Sequence, residues 1–394
     1  MPDEKQNAGR SIPIHAARTV PPNKARGALS FVPGRFEPEE RERYDDGWGG
    51  EAHLLSTCPA ASIETTVTEE RARSIISRNK SPDVPFELSI NPHRGCEHGC
   101  IYCFARPSHA YLELSPGLDF ETRLFAKTNA VELLRRELSR PGHKVSPIAL
   151  GVNTDAYQPV ESQYRLTRSL IEVLAECEHP FTLITKSALV ERDIDLLAPL
   201  AEKNLCSVFI TITTLDHALA RRLEPRAASP RRRLETVRIL AAAGIPTGVM
   251  MAPIIPALND KSIEEVVEEA AAAGATSAGY VMLRLPNELK ELFREWLAAH
   301  YPERAEHVMS ILRQMRGGRD NDPRFGRRMT GTGNYAELIA KRFEIALRRY
   351  GLETRSTALS TAALAGRPLG LDCTKFRPQA AAARKPQSPQ LALF

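Results

Sequence analysis

The chain has 394 residues, a hydrophobic fraction of 42% and a formal net charge of +5, enough apolar material for one large domain or two ordinary ones and too much for a disordered protein. No run approaches the ~20 apolar residues of a membrane helix, and Asp3, Glu4 and Lys5, with no apolar stretch behind them, do not read as a secretory signal. Three clustered cysteines, with Cys58, Cys177, Cys206 and Cys373 scattered, suit a reducing compartment better than a disulfide framework, so the expected location is the cytoplasm.

Residues 1–50, rich in Pro, Gly and charge without a sustained period, read as an extended arm, and 51–85 as a lead-in segment. Short β-branched or apolar runs follow at Phe86–Ile90, Ile148–Val152, Phe181–Thr185, Ser207–Thr213, Pro246–Ala252 and Gly279–Leu283. Helical spacing fills the gaps. In Glu161–Cys177, the side chains of Tyr164, Leu170, Ile171, Leu174 and Cys177 fall on one stripe, and 232–243 and 261–273 are stopped by Gly244 and Gly274. Strands alternating with helices imply parallel pairing through right-handed crossovers, here over 86–286. Beyond Pro286, the segments Glu288–Ala299, Glu303–Arg316 and Tyr335–Tyr350 predict a helical extension (287–354) covering these strands, and 355–394 reads as a flexible tail.

The densest chemistry lies between Asn91 and Pro107, where Cys96, Cys100 and Cys103 stand as Cys-x3-Cys-x2-Cys with Tyr102 before the last thiol. Three such thiolates cap three irons of a [4Fe-4S] cube and leave the fourth open to a small molecule. Clusters that only carry electrons usually have every iron ligated by cysteine, so this set points to chemistry. Zinc, with His93 or His98 as fourth ligand, is the alternative. A disulfide would strain these short loops and leave one thiol unpaired.

This spacing resembles the signature of the radical S-adenosylmethionine (SAM) enzymes. The resemblance implies a partial (β/α)6 TIM-type barrel, an open iron that chelates SAM, reductive cleavage to a 5′-deoxyadenosyl radical, and an electron donor such as flavodoxin or ferredoxin. In such barrels the site gathers at the C-terminal ends of the strands, and the cysteine loop follows the first expected strand. By resemblance, Tyr102 lies against SAM's adenine. At the second strand's end Thr154 and Asp155 are candidates for SAM's ammonium, with an Asx-type turn as the other use of Asp155. Lys186, beside Ser187 at the third strand's end, suits SAM's carboxylate or a substrate phosphate. Thr211 and Thr213 are weaker candidates, since threonine is common in strands.

A closer resemblance, from about Gly34 to Leu371, is to photolyase-like radical SAM proteins related to spore photoproduct lyase. It rests on Ser89 to Tyr111, Asn153 to Pro159, Leu183 to Ser187, Leu223-Glu-Pro225 and Met251 to Asp260. The lyase is understood to use a second-strand cysteine as hydrogen donor, with tyrosines after the cluster. Those positions fall here on Val152, which has no transferable hydrogen, and Phe104. Arginine-rich runs, 221–233 and 313–328, suit either a phosphate backbone or a solvated surface. The last five residues, Gln390-Leu-Ala-Leu-Phe394, resemble the pentapeptide by which bacterial polymerases and repair proteins dock on the sliding clamp. Gln390, Leu391, Leu393 and Phe394 would make that contact; otherwise they form an apolar end packed on the helical extension.

The expected function is hydrogen-atom abstraction from DNA or RNA, in DNA repair. The alternatives are radical modification of tRNA or a protein, or a non-catalytic metal-binding module tethered to the clamp.

Overall fold

The computed structural model describes residues 26–36, 64–354 and 370–378. The strands are β1 (Thr66–Glu70), β2 (Ile76–Arg78), β3 (Leu88–Ile90), β4 (His93–Arg94), β5 (Arg123–Lys127), β6 (Ile148–Leu150), β7 (Phe181–Thr185), β8 (Cys206–Thr211), β9 (Thr247–Ile254), β10 (Ser277–Met282) and β11 (Glu353–Thr354). Eight of them form one sheet in the order β11-β10-β9-β8-β7-β6-β3-β2. The six strands expected from the sequence, β3 and β6 to β10, are adjacent and parallel, with Leu88 beside Ile148, Ile148 beside Phe181, and Phe181 beside Cys206. Their apolar runs reflect burial on both faces: every residue of β3 and β6 is buried.

The sequence missed the edges. β2 adds antiparallel to β3 and β11 adds parallel to β10. A second sheet, β1-β5-β4, lies beside the cysteine loop. β1 is charged and half exposed, and β4 is only two residues long, so neither leaves an apolar period to read. Nor is the N-terminal stretch a free arm over 26–36. The Gly27 and Ala28 amides donate to Glu121 at 2.9 and 2.8 Å, and Ala28 and Leu29 are buried. A Cβ on Gly27 would stand 1.7 Å from the Gly99 carbonyl oxygen, so the chains touch backbone to backbone.

One expected helix is broken. Glu161–Cys177 separates into a short turn, Glu161–Tyr164, and the helix Leu166–Glu176, divided at Arg165 with φ 51°. The buried Glu161 carboxylate accepts the amides of Thr167 and Arg168 at 3.0 and 3.3 Å. It thereby caps the second helix from outside and ends the first. The helix expected at 232–243 runs Pro230–Ala242, with the Ser229 side chain capping the Arg232 amide and proline at its start.

The helices Leu289–His300 and Pro302–Met315 bury Phe293, Trp296, Leu297, Val308 and Leu312 against Ile101, Tyr102 and Leu223, fixing the cysteine loop from behind. The segment after them bridges the sheet's two ends. The Met282 amide donates to the Met329 carbonyl at 2.8 Å, while Arg328 pairs with Asp83 in the β2–β3 connection. Buried Arg316 anchors this bridge by donating to the carbonyls of Arg327, Arg328 and Leu283 at 2.8, 2.9 and 2.8 Å. The arginine runs are thus partly spent inside the molecule. Arg233 and Arg232 pair with Glu224 and Glu191, Arg226 with Glu97, Arg313 with Asp320, and Arg324 with Asp322. Residues Gln390, Leu391, Leu393 and Phe394 lie outside the described residues. No helix among the described residues is long and apolar enough to cross a membrane.

Two stability predictions follow from this packing. Arg316→Met strips the buried Leu283 carbonyl and the part-buried carbonyls of Arg327 and Arg328 of their donor, so a loss of about 2 kcal/mol is expected in urea unfolding. Burial holds His93, His109 and His179 near pKa 4, below the ~6.5 of an unfolded chain. The unfolded state therefore binds more protons between those values. The stabilisation from the neutral rings is complete above pH 6.5 and is lost as pH falls towards 4. Between pH 7 and 5 each histidine contributes at most about 2 kcal/mol of that loss. The urea midpoint should fall over that range, and His109→Leu should flatten the slope.

Candidate functional site

The cysteine loop leaves β3 through β4 and is tied down on all sides. The Cys96 amide donates to the Phe120 carbonyl at 2.9 Å and the Ile101 amide to Leu223 at 3.0 Å. Gln158 clamps it twice, donating to the Gly95 carbonyl at 3.0 Å and accepting the Glu97 amide at 2.9 Å. Fully buried Arg106 donates to the carbonyls of Cys100, Gly99 and Gly117 at 2.9, 3.1 and 2.8 Å and pairs with Glu121. Gly99 has φ +68°, and a Cβ there would lie 2.7 Å from the Glu121 carboxylate; the tight turn requires glycine.

Cys96, Cys100 and Cys103 open on a cavity of about 1010 Å³ at the C-terminal ends of the strands, at the top of the usual range of roughly 300–1,000 Å³ for ligand pockets. Tyr102, Val152, Asp155, Lys186 and Thr211 share its wall. Burial pushes the Cys100 thiol up to about 12 and Cys96 well above its ordinary value. Such thiols ionise only when a metal takes the proton's place. Among the described residues no three His, Cys, Asp or Glu side chains converge on a single ion. An all-thiol donor set is the soft set that iron–sulfur clusters take.

Asp155 is fixed by its surroundings. Its Oδ1 accepts the Thr185 hydroxyl at 2.6 Å and the Tyr157 amide at 2.9 Å, the Asx turn. Its Oδ2 accepts the Lys186 amide at 2.8 Å and faces His98 Nδ1 at 3.3 Å. Burial opposes the charge, but His98, Thr185 and Lys186 together hold the carboxyl well below its usual range. The Lys186 ammonium stands 5.8 Å from the Tyr102 ring centroid. Burial weakens its charge, yet Cys100, Glu224 and Asp155 raise its pKa above the ordinary lysine value. Among the described residues it has no hydrogen-bond or ion-pair partner. It is a half-buried cation facing a cavity.

The structure does not gather every candidate. The Thr154 hydroxyl turns away to donate to the His93 carbonyl at 3.1 Å, and the Ser187 side chain caps the Leu189 amide at 3.2 Å. Both close turns, and neither is on the cavity wall. Thr213 is also withdrawn, donating to Glu224 at 2.5 Å. Glu224, to which the sequence assigned no role, accepts the Tyr102 hydroxyl and pairs with buried Arg233, fixing the Tyr102 ring. Its only sequence signal was the Leu-Glu-Pro triplet inside an arginine run. Cys177 and Cys206 are core residues at a helix end and a strand start; neither lines the cavity.

Residues 90–270 match the family model of the radical SAM superfamily. An uncharacterized protein of Mycobacterium tuberculosis is 38% identical over 241 residues, covering 60% of this chain and 71% of that protein. One from Methanocaldococcus jannaschii is 26% identical over 238 residues, covering 60% and 85%. Among solved structures, a spore photoproduct lyase mutant aligns with TM-score 0.53 at 17% identity over 75% of this chain and 82% of that one. The lyase complexed with dinucleoside spore photoproduct gives 0.52 at 14% over 74% and 82%. At such identities these two speak for the fold alone. The family model, the relative at 38% identity and the strand-mouth cysteines agree: the chain belongs to the radical SAM superfamily and is a radical SAM enzyme.

Proposed function

We propose that Cys96, Cys100 and Cys103 hold a [4Fe-4S] cluster, that Tyr102, Asp155, Lys186 and Thr211 form the SAM pocket, and that the enzyme starts hydrogen-atom abstraction from a nucleic-acid substrate. The observation that carries this reading is that three thiols and one unpartnered ammonium open on the same cavity. With cluster and SAM bound, the site gains a source of the 5′-deoxyadenosyl radical. Lys186 neutralises SAM's carboxylate, Asp155 supplies fixed negative charge for its amino group, and Tyr102, held by Glu224, offers a ring face to the adenine. Val152 lines the cavity; by the sequence resemblance it stands where the lyase is understood to carry its hydrogen donor, and valine has no transferable hydrogen, so we do not propose the lyase's cysteine relay.

Support for a nucleic-acid substrate comes from a cavity large enough for more than SAM and from the lyase solved with a dinucleoside photoproduct. A base stacked in a duplex cannot reach a barrel mouth, so the substrate is single-stranded or flipped.

Purified anaerobically, the protein should be brown, with about four irons and four sulfides per chain. Cys96→Ala, Cys100→Ala or Cys103→Ala should abolish reductive SAM cleavage. Lys186→Ala should weaken SAM binding about tenfold or more, as expected for loss of a charge-assisted contact, with iron content unchanged. Deuterated oligonucleotide pools should pass deuterium into 5′-deoxyadenosine. A colourless protein with stoichiometric zinc overturns the cluster, and an absence of deuterium transfer from every pool overturns the substrate class.

A further inference from the structure

Lys186 is not alone in facing the cavity as a cation without a counterion. Arg284, two residues beyond the end of β10, also lines it. Its surroundings differ from those of the arginines already described. Arg328, its neighbour on the wall, is matched by Asp83 and Ser81, and buried Arg316 has three carbonyls. Arg284 has only the Met329 sulfur at 3.5 Å, and its Nε is buried with no acceptor. Among the described residues it has no ion pair. Burial and the nearby Arg328 charge pull its pKa to about 10, which leaves it charged at neutral pH and short of an anion.

Its other contact is Phe104, whose ring centroid lies 5.7 Å from the guanidinium carbon. Phe104 follows Cys103 directly, also lines the cavity, and remains 45% exposed. An exposed aromatic face beside a guanidinium with no ion pair among the described residues, at the mouth of the cavity, combines the two recognition elements of single-stranded nucleic acid: a stacking surface and a backbone cation. The pair joins the first strand's loop to the last strand's end, so anything entering the cavity there passes it.

We infer that Phe104 and Arg284 form a nucleotide-binding lip, in which Phe104 stacks the base next to the reacting one and Arg284 binds the phosphodiester between them. This assignment rests on the nucleic-acid reading above and specifies how the substrate is held. Arginine suits the role because its planar fork binds a phosphate while its face lies against a ring. Neither residue touches the cysteines through a hydrogen bond or ion pair among the described contacts, so the lip is separable from cluster binding.

The test uses the reconstituted holoenzyme and a fluorescein-labelled, mixed-sequence single-stranded oligonucleotide, with anisotropy followed over a salt series. Wild type should bind with an affinity that falls as salt rises. Arg284→Gln should make the log–log salt slope shallower by about 0.7, the contribution of one phosphate on a single strand. Arg284→Lys should restore the slope, because it restores the charge. Phe104→Ala should weaken binding at least about fivefold with the slope unchanged, as expected for loss of a stacking face. Iron content and circular dichroism establish that each variant is folded, and Arg284→Lys covers the case in which the glutamine variant is not. If wild type binds but the glutamine variant keeps the full slope, or the lysine variant fails to restore it, the lip is wrong and the nucleic-acid reading stands. If wild type binds no oligonucleotide at low salt, the nucleic-acid reading itself falls. If an acidic peptide competes as well as unlabelled oligonucleotide, the lip serves a protein substrate and the inference is overturned.

Discussion

The geometry of this site depends on a buried ion pair, Arg106 with Glu121, both fully excluded from solvent. The guanidinium has five N–H donors in a rigid fork, and here they reach the carbonyls of Cys100, Gly99, Pro116 and Gly117 as well as the carboxylate. The two carboxylate oxygens in turn take the amides of Gly27 and Ala28. One charge pair thus joins the cysteine loop, the turn at 116–117 and the N-terminal stretch. Buried pairs gain little over a well-packed apolar core, but removing one partner costs about 3–5 kcal/mol because the other charge is left uncompensated. A lysine cannot reproduce the fork. The loop that presents three thiols is therefore held by carbonyl contacts that only an arginine at this position supplies.

A second buried pair, Glu224 with Arg233, works one layer further out and explains the cavity's charge. Glu224 is consumed by Arg233, Tyr102 and Thr213, and Asp155 by its own loop and Thr185. Asp155, the carboxylate on the wall, and Glu224 behind Tyr102 are thus used up internally, whereas the ammonium of Lys186 and the guanidinium of Arg284 on the wall have no ion pair among the described residues. Charge left unneutralised in a low-dielectric wall is strongly attracted to an anion. Two such cations, one from the end of β7 and one from the end of β10, suit a ligand with a carboxylate and a second with a phosphate better than they suit a single small substrate.

The parallel strands were legible because a doubly buried strand must be a short apolar run, and Phe181–Thr185 was readable to the residue. β1, β2 and β4 were not, since an edge or two-residue strand leaves no period. The break at Arg165 was hidden for another reason: the stripe from Tyr164 to Cys177 is helical in spacing, and only the position of Glu161 across the turn ends it. Site residues divide in the same way. The thiols and Lys186 could be placed because motif and strand mouth fix their positions. Thr154 and Ser187 turn away from the wall, which the sequence could not show because a strand-mouth position does not fix the direction in which a hydroxyl points. Glu224 lies 122 residues from the phenol it holds, and no local pattern carries such a contact.

The cavity's parts come from different sources, and that separation bears on how the chemistry and its substrate are chosen. Its floor, the thiols with Tyr102, Asp155 and Lys186, is built from β3, β6 and β7 and the loops after them, within the span matched by the family model. Its rim is built from the β2–β3 connection, from Arg284, and from Arg328 and Met329, all outside that span. Phe104 at the mouth and Val152 on the wall lie within that span, and by the sequence resemblance they stand where the lyase is understood to carry a tyrosine and a cysteine. A shared floor accounts for a shared way of starting radical chemistry. The substrate held, and the route by which a hydrogen returns to it, depend on the side chains that line the rim and wall rather than on the fold. Function beyond the initiating step therefore has to be argued from Arg284, Phe104 and their neighbours rather than from the fold.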